Sequence, residues 1–237
     1  MMEQPFRNRI FSSLRPAAQE FMRQHALTRE THSGEVIYEE GAHFTHAVFP
    51  HSGIISLIAA DSDGQQVEKA AIGHEGFLGY ELILGGAAGN SAMSRSVVQI
   101  PGYASWVSLR DIDEALGEFI CVRETMLRYA RSLITQTLES VACNSLHSAD
   151  QRVARWLLNA DDNSVGQTFE LTQQALADVL GVRRATVSTA CAGLQALGAI
   201  EYSRGTIHVK DRAILEQHSC NCYFKIKNAA LPPDRSY

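Results

Sequence analysis

Three groups of residues in this chain have the types and spacing to do chemistry. The first is Arg183, Arg184, Ala185, Thr186, Ser188 and Thr189, which follow Gly181 in a run with helical spacing. Arginine can bind guanine through two parallel hydrogen bonds, and Thr or Ser can meet phosphate or base edges, so this set suits the reading of double-stranded DNA. The second is His218, Cys220 and Cys222, an H-x-C-x-C arrangement near the end. Three close ligands leave a zinc site one short. A thiol redox switch is the other chemistry open to them, and a local structural role is the plainer reading; no metal is assigned here. The third is His43, His46 and His51, with His25, His32 and His74 scattered around them. A metal enzyme on a jelly roll needs histidines and a carboxylate converging on one ion. His43 and His46, three apart, would face opposite sides of a single strand, and none of the six has a context that marks it as a haem ligand. No Ser-His-Asp set, phosphate loop or paired carboxylates stand in a supporting context, so an enzyme reading has no residues to rest on. No cofactor is assigned.

The segment 171–200 predicts how the first group is held. Thr172 is placed to cap a helix whose apolar face is Ala175, Leu176, Val179 and Leu180. Gly181 stands where a tight turn needs positive φ. A second helix opens near Arg183 or Arg184, buries Val187, Ala190, Cys191 and Leu194, and ends at Leu197-Gly198. This is a helix-turn-helix, whose second helix can lie in a major groove with its N-terminal residues at base edges. Gln173 and Gln174 are placed for phosphate contact. Ile200 and Tyr202, then Ile207 and Val209, alternate about a turn at Arg204-Gly205. That hairpin is the wing of a winged helix, with Arg204 at its tip.

The rest of the chain must carry this head. Residues 6–27 read as two short helices, the second opened by Pro16. From 33 to about 108, short apolar runs alternate with turn signals: Val36–Tyr38, Ala47–Phe49, Ile54–Ala59, Val67–Ile72, Val97–Ile100 and Ala104–Leu109. Asp63-Gly64 and Gly85-Gly86 are among those turns, and the spacing predicts a β-sandwich or jelly roll. From 111 to 146 the spacing predicts one long helix. Leu127, Ile134 and Val141 recur every seven residues, with Met126, Ala130, Leu133, Thr137 and Leu138 beside them. Such a seam predicts pairing with a second copy of the chain. A further helix is expected over 148–160, capped by Ser148. The fold class is α+β, with a sensory β-roll domain over 1–110, a dimerisation helix over 111–147 and a winged helix-turn-helix domain over 148–237.

Composition agrees. The chain has 237 residues, 45% hydrophobic and 20% charged, with a net charge of -5. Within that acidic whole, 183–212 carries Arg183, Arg184, Arg204, Lys210 and Arg212 against Glu201 and Asp211, a local basic excess. All five cysteines follow residue 120, which argues against a secreted disulfide framework. No run is apolar enough to span a bilayer and the N-terminus lacks a leader pattern, so a cytoplasmic protein with no membrane partner is expected.

The stretch TQQALADVLGVRRATVSTACAGLQALGAI closely resembles the C-terminal signature of the cyclic-AMP receptor protein/FNR (Crp/Fnr) superfamily of bacterial regulators. The resemblance extends over nearly the whole chain. It implies a homodimer on a palindromic promoter site, RNA polymerase as a further partner, and a β-roll that receives a small-molecule effector. Two departures bear on specificity. Members that read the TGTGA half-site carry an Arg-Glu pair and a later Arg; the matching positions here are Arg184, Ala185 and Thr189, so a different operator is expected. The effector pocket implied by the resemblance is Gly79, Tyr80, Glu81 and Leu82 with Asn90 and Ser91. Asn90 stands where cyclic-AMP binders place the arginine that pairs with phosphate, which disfavours cyclic AMP. Arg95 could take that role only by a shift that flips strand faces. The cysteine cluster of the iron–sulfur members has no counterpart before residue 121. The alternatives are a cyclic-nucleotide-responsive or thiol-redox-responsive regulator, and, further off, a cupin-like metal enzyme. A scaffold protein whose helix-turn-helix only packs is the rival from another class.

Overall fold

Asn8 caps a short helix, α1 (Arg9–Ser13), its side-chain oxygen accepting from the Ile10 N–H at 3.0 Å. Pro16 then opens α2 (Pro16–Gln24). The computed structural model describes residues 6–85 and 90–230. Gly86 of the expected turn, residues 1–5 of the expected 1–110 domain and residues 231–237 of the expected 148–237 domain lie outside the described residues.

The β-domain contains β1 (Ala26–Thr31), β2 (Val36–Tyr38), β3 (His46–Pro50), β4 (Ile54–Ala60), β5 (Gln66–Ile72), the single-turn α3 (Glu81–Leu84), β6 (Arg95–Ile100) and β7 (Gly102–Ser108). They form two antiparallel sheets, in the orders β1-β7-β3 and β2-β6-β4-β5. Phe11, Phe49, Phe77 and Met126 fill the core beneath them. The expected β-roll is present, with one addition. β1 was not foreseen, because its sequence ALTRET turns Leu27 through Glu30 to solvent and shows no apolar alternation. It is a strand because it pairs along its whole length with β7. At the Asp63-Gly64 turn, Asp61 Oδ1 accepts from the N–H groups of Asp63 and Gln65 at 3.0 and 2.8 Å, and Gly64 takes φ +79°.

The long helix is broken, which corrects the expectation of one helix over 111–147. Ser108 caps α4 (Leu109–Glu118), and α5 (Ile120–Leu146) follows after Phe119, which is extended at φ −119°, ψ 101°. Phe119 leaves the helical path to set its ring 5.6 Å from that of Phe21. α5 also divides its apolar residues differently from the expected single seam. Met126, Tyr129, Ala130 and Leu133 are buried, whereas Leu127, Ile134, Thr137, Leu138 and Val141 face outward. Neighbours in sequence are about 100° apart on a helix, so one helix serves two apolar surfaces.

Ser148 and Gln151 form a capping box that opens α6 (Ala149–Asn163). Then come β8 (Thr168–Glu170), α7 (Gln173–Leu180), α8 (Arg184–Ala196), β9 (Ile200–Ser203), β10 (Thr206–Val209), α9 (Arg212–His218) and α10 (Cys222–Ala229). Strand β8 completes a three-stranded wing in the order β8-β10-β9. α10 returns to α5, where Lys225 pairs with Glu139 at 3.2 Å. No helix among the described residues is long and apolar enough to cross a membrane.

A polar chain runs through the β-domain. The Asn8 N–H donates to His51 Nδ1 at 3.2 Å, so Nε2 carries the proton and donates to Ser105 Oγ at 2.7 Å. Ser105 in turn bonds Thr28 at 2.6 Å. Burial lowers the His51 pKa to about 4. A folded state that refuses a proton the unfolded chain accepts loses stability as pH falls from about 6.5 towards about 4. Chemical denaturation at pH 7.5 and at pH 4.5 should therefore show a loss of up to about 3 kcal/mol in the wild type attributable to this group. The His51→Gln variant should show a smaller pH dependence; equal slopes would assign the acid sensitivity elsewhere.

Candidate nucleic-acid interface

Thr172 caps α7, its hydroxyl accepting from the Ala175 N–H at 3.1 Å. Leu176, Ala177, Val179 and Leu180 bury the face that meets α8. Gly181 ends α7 in the left-handed conformation, φ +62°, ψ 40°, and its N–H is taken by the last turn. The chain then re-enters helix at Arg184, and Val187, Ala190, Cys191 and Leu194 bury the inner face of α8. Burial pushes the Cys191 thiol up to about 11, so it packs as a small apolar group. The buried positions of α8 are those the sequence predicts; in α7, Ala177 is buried where Ala175 was expected, and Ala175 is half-buried.

With one face of α8 buried, the other is set. Arg183, Arg184, Ala185, Ser188 and Thr189 are exposed, and Thr186 is half-buried. Thr189 bonds back to the Ala185 carbonyl at 3.1 Å. Among the described residues, Arg183, Arg184 and Arg204 enter no ion pair, which leaves their guanidinium groups free to meet an anion. The wing adds a second contact point. Arg204, at φ +49°, and Gly205, at φ +84°, make the two-residue turn between β9 and β10. The Gly205 carbonyl accepts from the Leu171 N–H at 2.7 Å, which brings the wing tip beside Thr172. Thr172, Gln173 and Arg204 therefore border one surface. Gln174 stands apart, donating to Asp178 at 2.7 Å.

The head is docked on the β-domain with this face uncovered. Trp156 of α6 lies in one core with Ile54, Ala71 and Ile100 of the β-domain and with Leu176 and Leu180 of α7. Its indole N–H donates to Glu68 Oε1 at 3.1 Å, and Ser56 donates to the other oxygen of that carboxylate. Glu68 is half-buried at this seam, and desolvation raises its pKa. Asn163 carries a further link: its carbonyl accepts from the Gly53 N–H at 2.8 Å and its side-chain oxygen from the His74 N–H at 2.8 Å. These junction residues escaped the sequence reading, since polar residues at a docking seam have no period of their own.

The predicted effector residues are only partly brought together. Glu81 on α3 is buried; Oε1 accepts from the Met93 N–H at 3.3 Å, whereas Oε2 has no partner. Desolvation raises its pKa. Tyr80 lies beside it, and Gly79, at φ +104°, adjoins Leu82 and Ala47. Asn90 is exposed and its carbonyl bonds Phe44 and His43; Ser91 bridges to His43. Arg95 points away from the interior and pairs with Glu39 at 3.1 Å, whereas its neighbour Ser96 is buried. A separate cavity of about 250 Å³ lies between the domains, lined by Glu68, Gln136, Arg155, Trp156, Asp162 and Lys227 among others.

The expected groupings of histidine are corrected. His218 is exposed, and the residue beside Cys222 is His147. His51 is held by Asn8 and Ser105, and His74 by Asn163 at 2.7 Å. Among the described residues, the only set with converging metal-ligand atoms is Cys143, His147, Cys220 and Cys222.

Residues 151–218 match the model of the Crp-like helix-turn-helix domain. A comparison with curated protein sequences finds no match. Among solved structures, FixK2 from Bradyrhizobium japonicum aligns at TM-score 0.67 and 20% identity, over 82% of this chain and 98% of that one. TTHB099, a CRP-family transcriptional regulator from Thermus thermophilus, aligns at 0.63 and 19%, over 81% and 96%. CLP of Xanthomonas campestris, a c-di-GMP-responsive global regulator, aligns at 0.62 and 14%, over 82% and 99%. The chain thus carries a Crp-like helix-turn-helix on a Crp/Fnr-type fold.

The turn between α7 and α8 can be tested alone. A Cβ on Gly181 would sit 3.3 Å from Val67 Cγ2, in a left-handed backbone that L residues resist. Gly181→Ala should cost about 1–2 kcal/mol by chemical denaturation; an unchanged midpoint would show that the turn relaxes freely.

Proposed function

We propose that this protein is a transcription regulator that binds a specific double-stranded DNA site as a homodimer. The observation that carries this reading is the uncovered N-terminal end of α8, with two arginines free of ion pairs and the wing tip bordering the same head. In this reading Arg183 and Arg184 meet base edges, Thr172, Gln173 and Arg204 meet phosphates beside them, and Gln174 joins the phosphate contacts by releasing Asp178.

The dimer is supported by the outer face of α5. Leu127, Ile134, Leu138 and Val141 are 42, 54, 65 and 64% exposed on one face of one helix. A contiguous apolar stripe of this kind marks an interaction site. A second copy of α5, related by a two-fold axis, would cover it with the same residues. Half-site centres then lie about 34 Å apart along the operator. Cyclic AMP is a poor effector for this chain: Asn90 supplies no charge to a phosphate, and Arg95 is turned to Glu39. An effector, whatever its identity, acts by favouring one orientation of the heads over another. The junction at Trp156 and Glu68 is the element it would bias.

Selection of bound sites from a random duplex library, followed by gel shift, tests the reading. A single enriched sequence with inverted symmetry supports it, and binding without sequence preference refutes it. Arg184→Ala should weaken the selected site by about 1–3 kcal/mol and relax one base position. An equal loss on random duplex would reassign Arg184 to phosphate contact. Ile134→Asp should give monomers by sedimentation and lose operator affinity, and a surviving dimer would move the interface off α5.

A further inference from the structure

Three of the chain's five cysteines and one histidine meet at a single point. Cys143 lies in the last turn of α5 and His147 is the cap of that helix, its N–H bonded to the Cys143 carbonyl at 3.1 Å, which holds the two residues at the same helix end. Cys220 lies in the bend between α9 and α10, and Cys222 is the first residue of α10. Cys143 Sγ is 3.5 Å from Cys220 Sγ, and Cys222 Sγ is 3.6 Å from His147 Nδ1. All four ligand atoms lie within 4.8 Å of one another, and the three thiols are buried. We propose that Cys143, His147, Cys220 and Cys222 form a Cys3His site for one zinc-class divalent ion.

The spacing fits that ion. Zn–S bonds of about 2.3 Å and a Zn–N bond of about 2.0 Å in a tetrahedron put ligand atoms about 3.5–3.8 Å apart. The Cys143–Cys220 and Cys222–His147 pairs already stand at that separation. Closing the set around an ion asks for shifts of about 1 Å at most, within side-chain reach. A disulfide between Cys143 and Cys220 would need the sulfurs to approach to about 2.05 Å. It would also leave Cys222 and His147 with no reason to converge.

The charge around the site is also suited. Three thiolates and a neutral imidazole around a divalent ion carry one net negative charge. Arg152 and Arg155 on α6 are coupled electrostatically to the sulfurs, and the Nε of each is buried with no partner. Their positive charges offset the excess. Glu139, which faces Cys222, is neutralised by Lys225 at 3.2 Å. Binding releases the thiol protons to solvent.

The position gives the ion a task. His147 is the cap of α5, and Ser148 opens α6. An ion there would tie the end of α5 to the start of α10 across the hinge that carries the helix-turn-helix. This consequence rests on the DNA-binding reading, whereas the metal site itself does not.

The test uses full-length protein from zinc-supplied culture, purified under reductant. Elemental analysis should find about one zinc per chain. Cobalt(II) added after chelation should give the intense visible bands of a tetrahedral thiolate site. Cys220→Ser/Cys222→Ser and His147→Ala should lose both signals, whereas Cys121→Ser should keep them. Because the paired variant could unfold, zinc competition with a chromophoric chelator on wild-type protein provides an independent reading of affinity. Protein without stoichiometric zinc that also fails to compete would overturn the proposal. So would an octahedral cobalt spectrum, stoichiometric iron with cluster absorption, or a Cys143–Cys220 disulfide as the reduced preparation's dominant peptide. Gel shift on the selected operator is read separately: zinc without DNA binding keeps the site and removes the regulator reading, and DNA binding without zinc does the reverse.

Discussion

Trp156 lies in a core that belongs to neither half of the molecule alone. Its ring is surrounded by Ile54, Ala71 and Ile100 from the β-sheets and by the apolar faces of α6 and α7. Burying an indole removes on the order of 200 Å² from water, worth about 5 kcal/mol at most. That sum holds the helix-turn-helix against the sheet and so decides which way α8 points. Its polar edge comes at a cost. The indole N–H needs an acceptor, and Glu68 provides it at the expense of burying a carboxylate, whose pKa rises in consequence. The junction thus gains from apolar area and loses from a partly desolvated carboxylate.

The hinge beside it is built from hydrogen bonds and ligands instead of apolar area. α5 ends at His147, α6 is capped at once by Ser148, and α10 folds back over the bend. Arg212 gathers Asp161, Asp162, Glu216 and Tyr223 on the far side of α6. The thiol cluster and this charged cluster thus hold the two flanks of the same short segment.

Short-range chemistry was legible in advance. Thr172 as cap, Gly181 as left-handed turn and the buried set Val187, Ala190, Cys191 and Leu194 follow from local rules and stand where those rules put them. So do the β-roll strands with clear alternation. Strand β1 was not legible, because only its pairing with β7 makes it a strand. The break at Phe119 was missed for a related reason: a contact with Phe21, nearly a hundred residues earlier, outweighs local helix propensity. Cys143-x-x-x-His147 did carry a visible signal, two ligand types one helical turn apart, but it gains meaning only beside Cys220 and Cys222.

The sequence by itself determined the element types, the helix-turn-helix and the residues it turns outward, because periodicity and capping act within a few residues. Only the tertiary structure decided which side of α5 is free, where the head docks, and that ligands 77 residues apart share one point. Those outcomes depend on contacts between distant segments, whose free energy is set by shape and burial and leaves no period in the chain.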